Sequence, residues 1–95
     1  MAERLTDEAI REGLDGSAWS REGDAIVREL KLDDFAAAMA FVNAVAALAD
    51  AANHHPDILI HGWNRVRLTL TTHSADGLTQ SDLDLARGID GLSGP

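Results

Sequence analysis

Cysteine is missing from this chain altogether. Disulfides, thiolate-bound zinc and thiol nucleophiles are thereby excluded. Basic residues are scarce: acids outnumber them 16 to 8, for a formal charge of −8. A phosphate backbone would be repelled by most of such a surface. No Lys/Arg cluster or aromatic–basic alternation offsets that repulsion, so direct nucleic-acid binding is disfavoured. Met1-Ala2-Glu3-Arg4 leads into no apolar signal-like core, and no apolar run approaches the roughly 18 residues of a membrane span. No membrane association is expected, and the protein reads as soluble and cytoplasmic. Glycine-rich phosphate loops, internal repeats, linkers and low-complexity tracts are lacking too. Ser74 and Ser81 sit in no nucleophile-elbow context.

What is present suits a single domain spanning residues 1–95. The apolar fraction of 45% is enough for one packed core and argues against wholesale disorder. A second core would not fit. So small a domain buries a modest share of its surface, so self-association, as a homodimer or homotetramer, is expected.

Thr6 opens a short first helix, with Asp7 and Glu8 at the positive end of its dipole and Ile10 and Leu14 on one face. Asp15-Gly16 ends it. A hairpin follows around Glu22-Gly23-Asp24. Residues 25–32 alternate so that Ile26, Arg28, Leu30 and Leu32 share one face, an imperfect pattern because Arg28 falls on the apolar side. Trp19 is expected to pack in the core. Asp33 is read as the N-cap of a long helix whose apolar positions (Phe35, Ala38, Met39, Phe41, Val42, Val45, Leu48, Ala49) recur at helical spacing. Pro56 disfavours helical geometry at His55, so this helix should end near Ala52 or Asn53.

Residues 57–60 form a short extended run, and His61-Gly62 a turn with His61 solvated. Residues 63–72 form a long strand with Val66, Leu68 and Leu70 pointing inward. Leu78-Thr79-Gln80-Ser81-Asp82 carries a helix-start signature, with Thr79 as N-cap and Asp82 at the third helical position. The last helix presents Leu83, Leu85, Ala86, Ile89 and Leu92 and frays after Gly91. The expected fold is α+β: a four-stranded antiparallel sheet with helices on one face, in the order α-β-β-α-β-β-α.

The chemistry concentrates between Asp50 and Asp82, where His54, His55 and His73 lie. Imidazole titrates near neutrality, so such a cluster can both donate and accept protons. Asp50 precedes His54 by one helical turn, so a carboxylate there can orient the ring. The same spacing also fits an ordinary ion pair at a helix C-terminus. His54 and His55 must diverge, because consecutive side chains point apart in an extended backbone. His73 ends the long strand, where it is either a reactive group held rigidly or merely a cap on the sheet. Zinc is disfavoured: helical i, i+4 histidines are lacking, and vicinal histidines rarely chelate one ion. No metal site is assigned.

The pattern Asp50-x-x-x-His54-His55-Pro56, six residues, Trp63, nine residues, His73, eight residues, Asp82 resembles the signature of the pterin-4a-carbinolamine dehydratase family. Trp19, Phe35, Phe41, Thr71-Thr72-His73 and Gly77-Leu78-Thr79 agree with it, and the resemblance covers Leu5 to Ile89. It departs in carrying Asp at position 50, where many relatives have Glu, and in a loop before Trp63 one residue longer than in animal relatives. The resemblance implies dehydration of 4a-hydroxytetrahydropterin to quinonoid dihydropterin, a step in tetrahydrobiopterin recycling that requires no cofactor. It implies a catalytic set of His54, His55 and His73, with His55 as anchor and base and the other two as acids. Asp50 is then expected to orient His54. Asp82 should pair with an imidazole or with the amides of the last helix. Asn53 and Thr71, Thr72, His73 and Ser74 should edge the pterin, and Trp63 either flanks the pocket or, more in keeping with an aromatic, supports the structure. The competing implication is a non-enzymatic binding module, a dimerisation cofactor or assembly-chaperone-like adaptor.

Overall fold

The computed structural model describes residues 3–92. Helix α1 (Asp7–Leu14) starts as its sequence dictates: the Thr6 hydroxyl accepts from the Ala9 amide at 3.1 Å, and Asp7 and Glu8 occupy the first turn. Gly16, at φ 72°, lets the chain leave the helix in a left-handed conformation. Strands β1 (Ser20–Glu22) and β2 (Ala25–Lys31) form the expected hairpin, with Glu22 opposite Ala25. Arg28 does face the helical layer. Its guanidinium meets the carboxylate of Asp90, which also accepts from Trp19 Nε1 at 2.9 Å. The charge that broke the strand's alternation thus has an ionic partner among the helices, and Trp19 is buried beside it.

Helix α2 (Phe35–Ala52) is capped by Asp34, not Asp33: the Asp34 carboxylate accepts from the Ala37 amide at 2.7 Å. Either aspartate has the chemistry. The later start is the one observed with Ala38, Phe41, Val45 and Ala49 buried. The expectation that no apolar run approaches membrane-span length is overturned by this helix. Its 18 residues, of mean hydropathy 1.7, are long and apolar enough to cross a bilayer by length and composition. Alanines spread through the helix carry that hydropathy without any compact run of large apolar residues. In this fold its buried side, Ala38, Phe41, Val45 and Ala49, packs into the core.

Strands β3 (Asp57–His61) and β4 (Arg65–Leu70) complete an antiparallel sheet of order β1-β2-β4-β3. The fold is the α+β sandwich expected, in the order α-β-β-α-β-β-α. Val66, Leu68 and Leu70 point inward and are wholly buried, with Ile26, Val45 and Ile89. Strand β4 is shorter than predicted at both ends. Gly62 and Trp63 take φ of 55° and 61° in the β3–β4 turn, and Thr72 leaves the ladder to bridge Gly77. Trp63 therefore projects to solvent, 61% exposed, and neither supports the core nor flanks a pocket near His73, at the opposite end of β4. His61 is the last residue of β3 rather than a turn residue, half-exposed and 3.7 Å from Glu29. A one-turn 3-10 helix (His73–Ala75) leads to α3 (Gln80–Leu92), which buries Leu83, Leu85, Ala86 and Ile89.

Candidate functional site

The exit of α2 determines where the first histidines go. Asn53 adopts the left-handed conformation (φ 50°), which asparagine tolerates better than most residues. Its amide donates to the Asp50 carbonyl at 3.2 Å, and the His54 amide reaches back to Ala49 at 3.1 Å. This is the paired reverse bonding of a Schellman motif, and Pro56 then prevents any return to helix. The chain reverses at Asn53, so His54 and His55 leave α2 in directions a continuing helix would not give.

The sheet register brings the second segment alongside. Asp57 pairs with Thr69, so His54 and Thr72, each three residues beyond that pair, leave the sheet side by side. Asp82 joins them. Its side chain is fully buried at the start of α3, with Oδ1 2.6 Å from His54 Nε2. Oδ2 accepts from the Thr72 hydroxyl at 2.7 Å and from the Thr79 amide at 2.9 Å. The Thr79 hydroxyl lies 2.8 Å from that of Thr72. Half of a capping box is thus present, since Asp82 reaches back to the Thr79 amide. The Thr79 hydroxyl, predicted to cap α3, turns instead to Thr72.

These contacts reassign the carboxylates. Asp50 does not hold His54; it pairs with His55, Oδ1 to Nε2 at 2.9 Å, with both side chains largely exposed. His54, its side chain only 15% exposed, belongs to Asp82. The one-turn spacing of Asp50 and His54 brings side chains together only while a helix persists, and the reversal at Asn53 ends it. Asp82 meets both expectations made for it, an imidazole and an amide at the head of the last helix. Because a carboxylate accepts and does not donate, it directs the Nε2–H of each ring toward itself. Nδ1 is left as the nitrogen facing outward chemistry in both histidines.

The remaining residues are more loosely gathered. His73 and Ser74 are exposed on the 3-10 turn directly after Thr72. The Thr71 hydroxyl donates to the Asp24 carbonyl at 2.6 Å, fastening this segment to the β1–β2 turn. Thr72 spends its amide on Gly77 and its hydroxyl on Asp82. A hollow of about 420 Å³ lies between the end of α2 and α3, lined by His54, Leu48, Ala52, Ser81 and Leu85 among others. His55 and His73 are not among its lining residues, so His54 alone of the three faces it. Among the described residues no group of three or more His, Asp or Glu side chains is placed to hold a metal ion. Thr79 is the member of this network that spacing did not reveal as part of the site. Its helix-start signature was visible, but which way its hydroxyl turns depends on Thr72, a neighbour only in the folded chain.

The family model described as pterin 4 alpha carbinolamine dehydratase matches residues 3–92. The chain belongs to that family. A relative from Roseiflexus sp. (strain RS-1), provisionally named a pterin-4-alpha-carbinolamine dehydratase, is 54% identical over 91 residues, covering 95% of this chain and 97% of the relative. Among solved structures, the transcriptional coactivator/pterin dehydratase from Brucella melitensis superposes with a TM-score of 0.91 at 35% identity, over 97% of this chain and all of the other. A pterin dehydratase-like protein described as a RuBisCO assembly factor in the alpha-carboxysome superposes with a TM-score of 0.70 at 26% identity, over 81% and 90% of the two chains. Similarity thus spans the sandwich as a whole.

Proposed function

We propose that this protein is a hydro-lyase that dehydrates 4a-hydroxytetrahydropterin to quinonoid dihydropterin, within tetrahydrobiopterin recycling. The observation that carries the proposal is the part-buried His54–Asp82 pair beside an exposed His55–Asp50 pair, within a chain of the dehydratase family. The reaction breaks the C4a–O bond and forms the C4a=N5 double bond. The hydroxyl leaves as water once an acid protonates it, and a base removes the N5 proton. Imidazoles ordered by carboxylates supply both, each contributing about 10²–10⁴-fold. In this scheme His55 anchors the pterin and takes the N5 proton, while His54 and His73 approach as acids. Asn53, Thr71 and Ser74 edge the ring, and Thr72 contributes by fixing Asp82.

The test is loss of 4a-carbinolamine absorbance in the presence of purified protein without added metal. Acceleration is expected. A folded His55→Ala/His73→Ala double variant that kept full activity would defeat the proposed site.

A non-enzymatic adaptor role is the second reading, and the two structural neighbours, a transcriptional coactivator/pterin dehydratase and a RuBisCO assembly factor, are what favour it. It predicts a stable large protein partner with no turnover. Self-association as a homodimer or homotetramer is proposed as well. Its support is the exposed apolar Phe35 and Met39 on α2 and Leu59 on the edge strand β3. Analytical ultracentrifugation showing only monomer at micromolar concentration would refute it.

A further inference from the structure

Asp82 is wholly buried, so every group around its carboxylate acts with little competition from water. Oδ2 receives the Thr79 amide, which can only donate, and the Thr72 hydroxyl. A hydroxyl carries one proton. With that proton committed to Asp82, Thr72 Oγ1 can only accept from Thr79 Oγ1, 2.8 Å away. The direction of the chain is therefore determined: Thr79 donates to Thr72, Thr72 to Asp82, and Asp82 faces His54 Nε2 at 2.6 Å. Thr79 is 1% exposed and Thr72 8%, so neither hydroxyl exchanges its partner freely for solvent.

We propose that Thr79 is a positioning residue for His54, acting through Thr72 and Asp82. A donor behind Thr72 polarises the Thr72 hydroxyl and strengthens its bond to the carboxylate. The carboxylate is then held from two sides on Oδ2, and Oδ1 is left aimed at the ring. Residues from the β4 exit and from the head of α3 thus lock one imidazole at the exit of α2. The catalytic consequence rests on the proposed dehydratase activity; the direction of the bonds does not.

The experiment compares Thr79→Val, which keeps the shape and removes the hydroxyl, with Thr79→Ser, which restores it. Readouts are kcat and KM for carbinolamine dehydration and the imidazole ¹⁵N shifts of His54, assigned with a His54→Gln variant. Expected for Thr79→Val is a kcat loss of about tenfold, at the low end for groups that orient a functional ligand from behind, with KM little changed and the two His54 nitrogens moving toward a mixed-tautomer pattern. Thr79→Ser should recover most of kcat and the original shifts. The proposal is overturned if folded Thr79→Val keeps kcat and the His54 shifts, or if Thr79→Ser is as impaired as Thr79→Val. Should the unsubstituted protein show no turnover while the shifts still respond to Thr79→Val, the dehydratase activity fails and the positioning chain stands. If Thr79→Val does not fold, hydroxyl-proton exchange in the unsubstituted protein decides. Slow exchange at both Thr72 and Thr79 is expected, and fast exchange at Thr79 overturns the chain.

Discussion

Replacing Asp82 by asparagine probes the site with the least change of shape. Two donors, the Thr72 hydroxyl and the Thr79 amide, converge on Oδ2. The asparagine carbonyl oxygen must take that place, because an NH2 group there would face two donors. The new NH2 is then directed at His54 Nε2, which stands 2.6 Å from Oδ1 in the native protein. His54 can meet a donor only with a bare Nε2, so its proton moves to Nδ1. With an NH2 group facing Nε2 the ring cannot carry a proton on both nitrogens, so the imidazolium that would serve as the acid proposed for His54 does not form. The expected loss is therefore the whole acid–base share of one histidine, about 10²–10⁴-fold in kcat. Stability falls too, because the bonds to Asp82 change from charge-assisted to neutral. With net values of about 1.5–3 against 0.5–1.5 kcal/mol per bond, a loss of about 2 kcal/mol is reasonable. For a domain of this length that lowers Tm by roughly 8–16 °C. Stopped-flow absorbance gives the rate, calorimetry the stability and ¹⁵N spectra the tautomer. A folded Asp82→Asn protein with kcat within threefold of native and an unchanged His54 tautomer would refute the reasoning.

Other outcomes follow from single contacts. Asp50→Ala removes the partner of His55 at an exposed pair, so chemical denaturation should show a change of no more than about 1 kcal/mol, while dehydration should slow as the His55 ring loses its orientation. Asn53→Gly is expected to be neutral or mildly stabilising and Asn53→Val to cost about 1–2 kcal/mol, since only the first suits φ 50°; equal stabilities would show that the reversal after α2 tolerates any residue. Arg28→Ala leaves Asp90 without its guanidinium in a part-buried setting, which should cost about 1–3 kcal/mol in urea unfolding; no change would mean that the pair adds nothing to the sheet–helix contact. Leu68→Ala, at a wholly buried position on the inner strand β4, should cost about 2–5 kcal/mol, and a loss under 1 kcal/mol would contradict the packing described.

Elements whose cause lies within a few residues were legible from the chain alone. Thr6 and the acids after it start α1, and the spacing of Ala38, Phe41, Val45 and Ala49 makes α2. The alternation of Val66, Leu68 and Leu70 makes β4, and Pro56 closes the helix before it. Caps, breakers and periodicity act over one or two turns, so they need no partner from elsewhere. The histidine signature was legible as well, as a pattern of residue types spread over residues 50–82, and it led to the family. Tertiary structure decided the pairings. Asp50 and His54 are one turn apart in sequence, yet the reversal at Asn53 gives Asp50 to His55 and turns His54 toward α3. Thr79 carries the signature of a helix cap, yet Thr72, brought across by the strand exit, claims its hydroxyl. Trp63 lost its expected place because a tight turn holds it at positive φ and directs the indole outward. Which acid orients which imidazole is a property of three segments meeting, and no spacing along the chain encodes where separate segments meet.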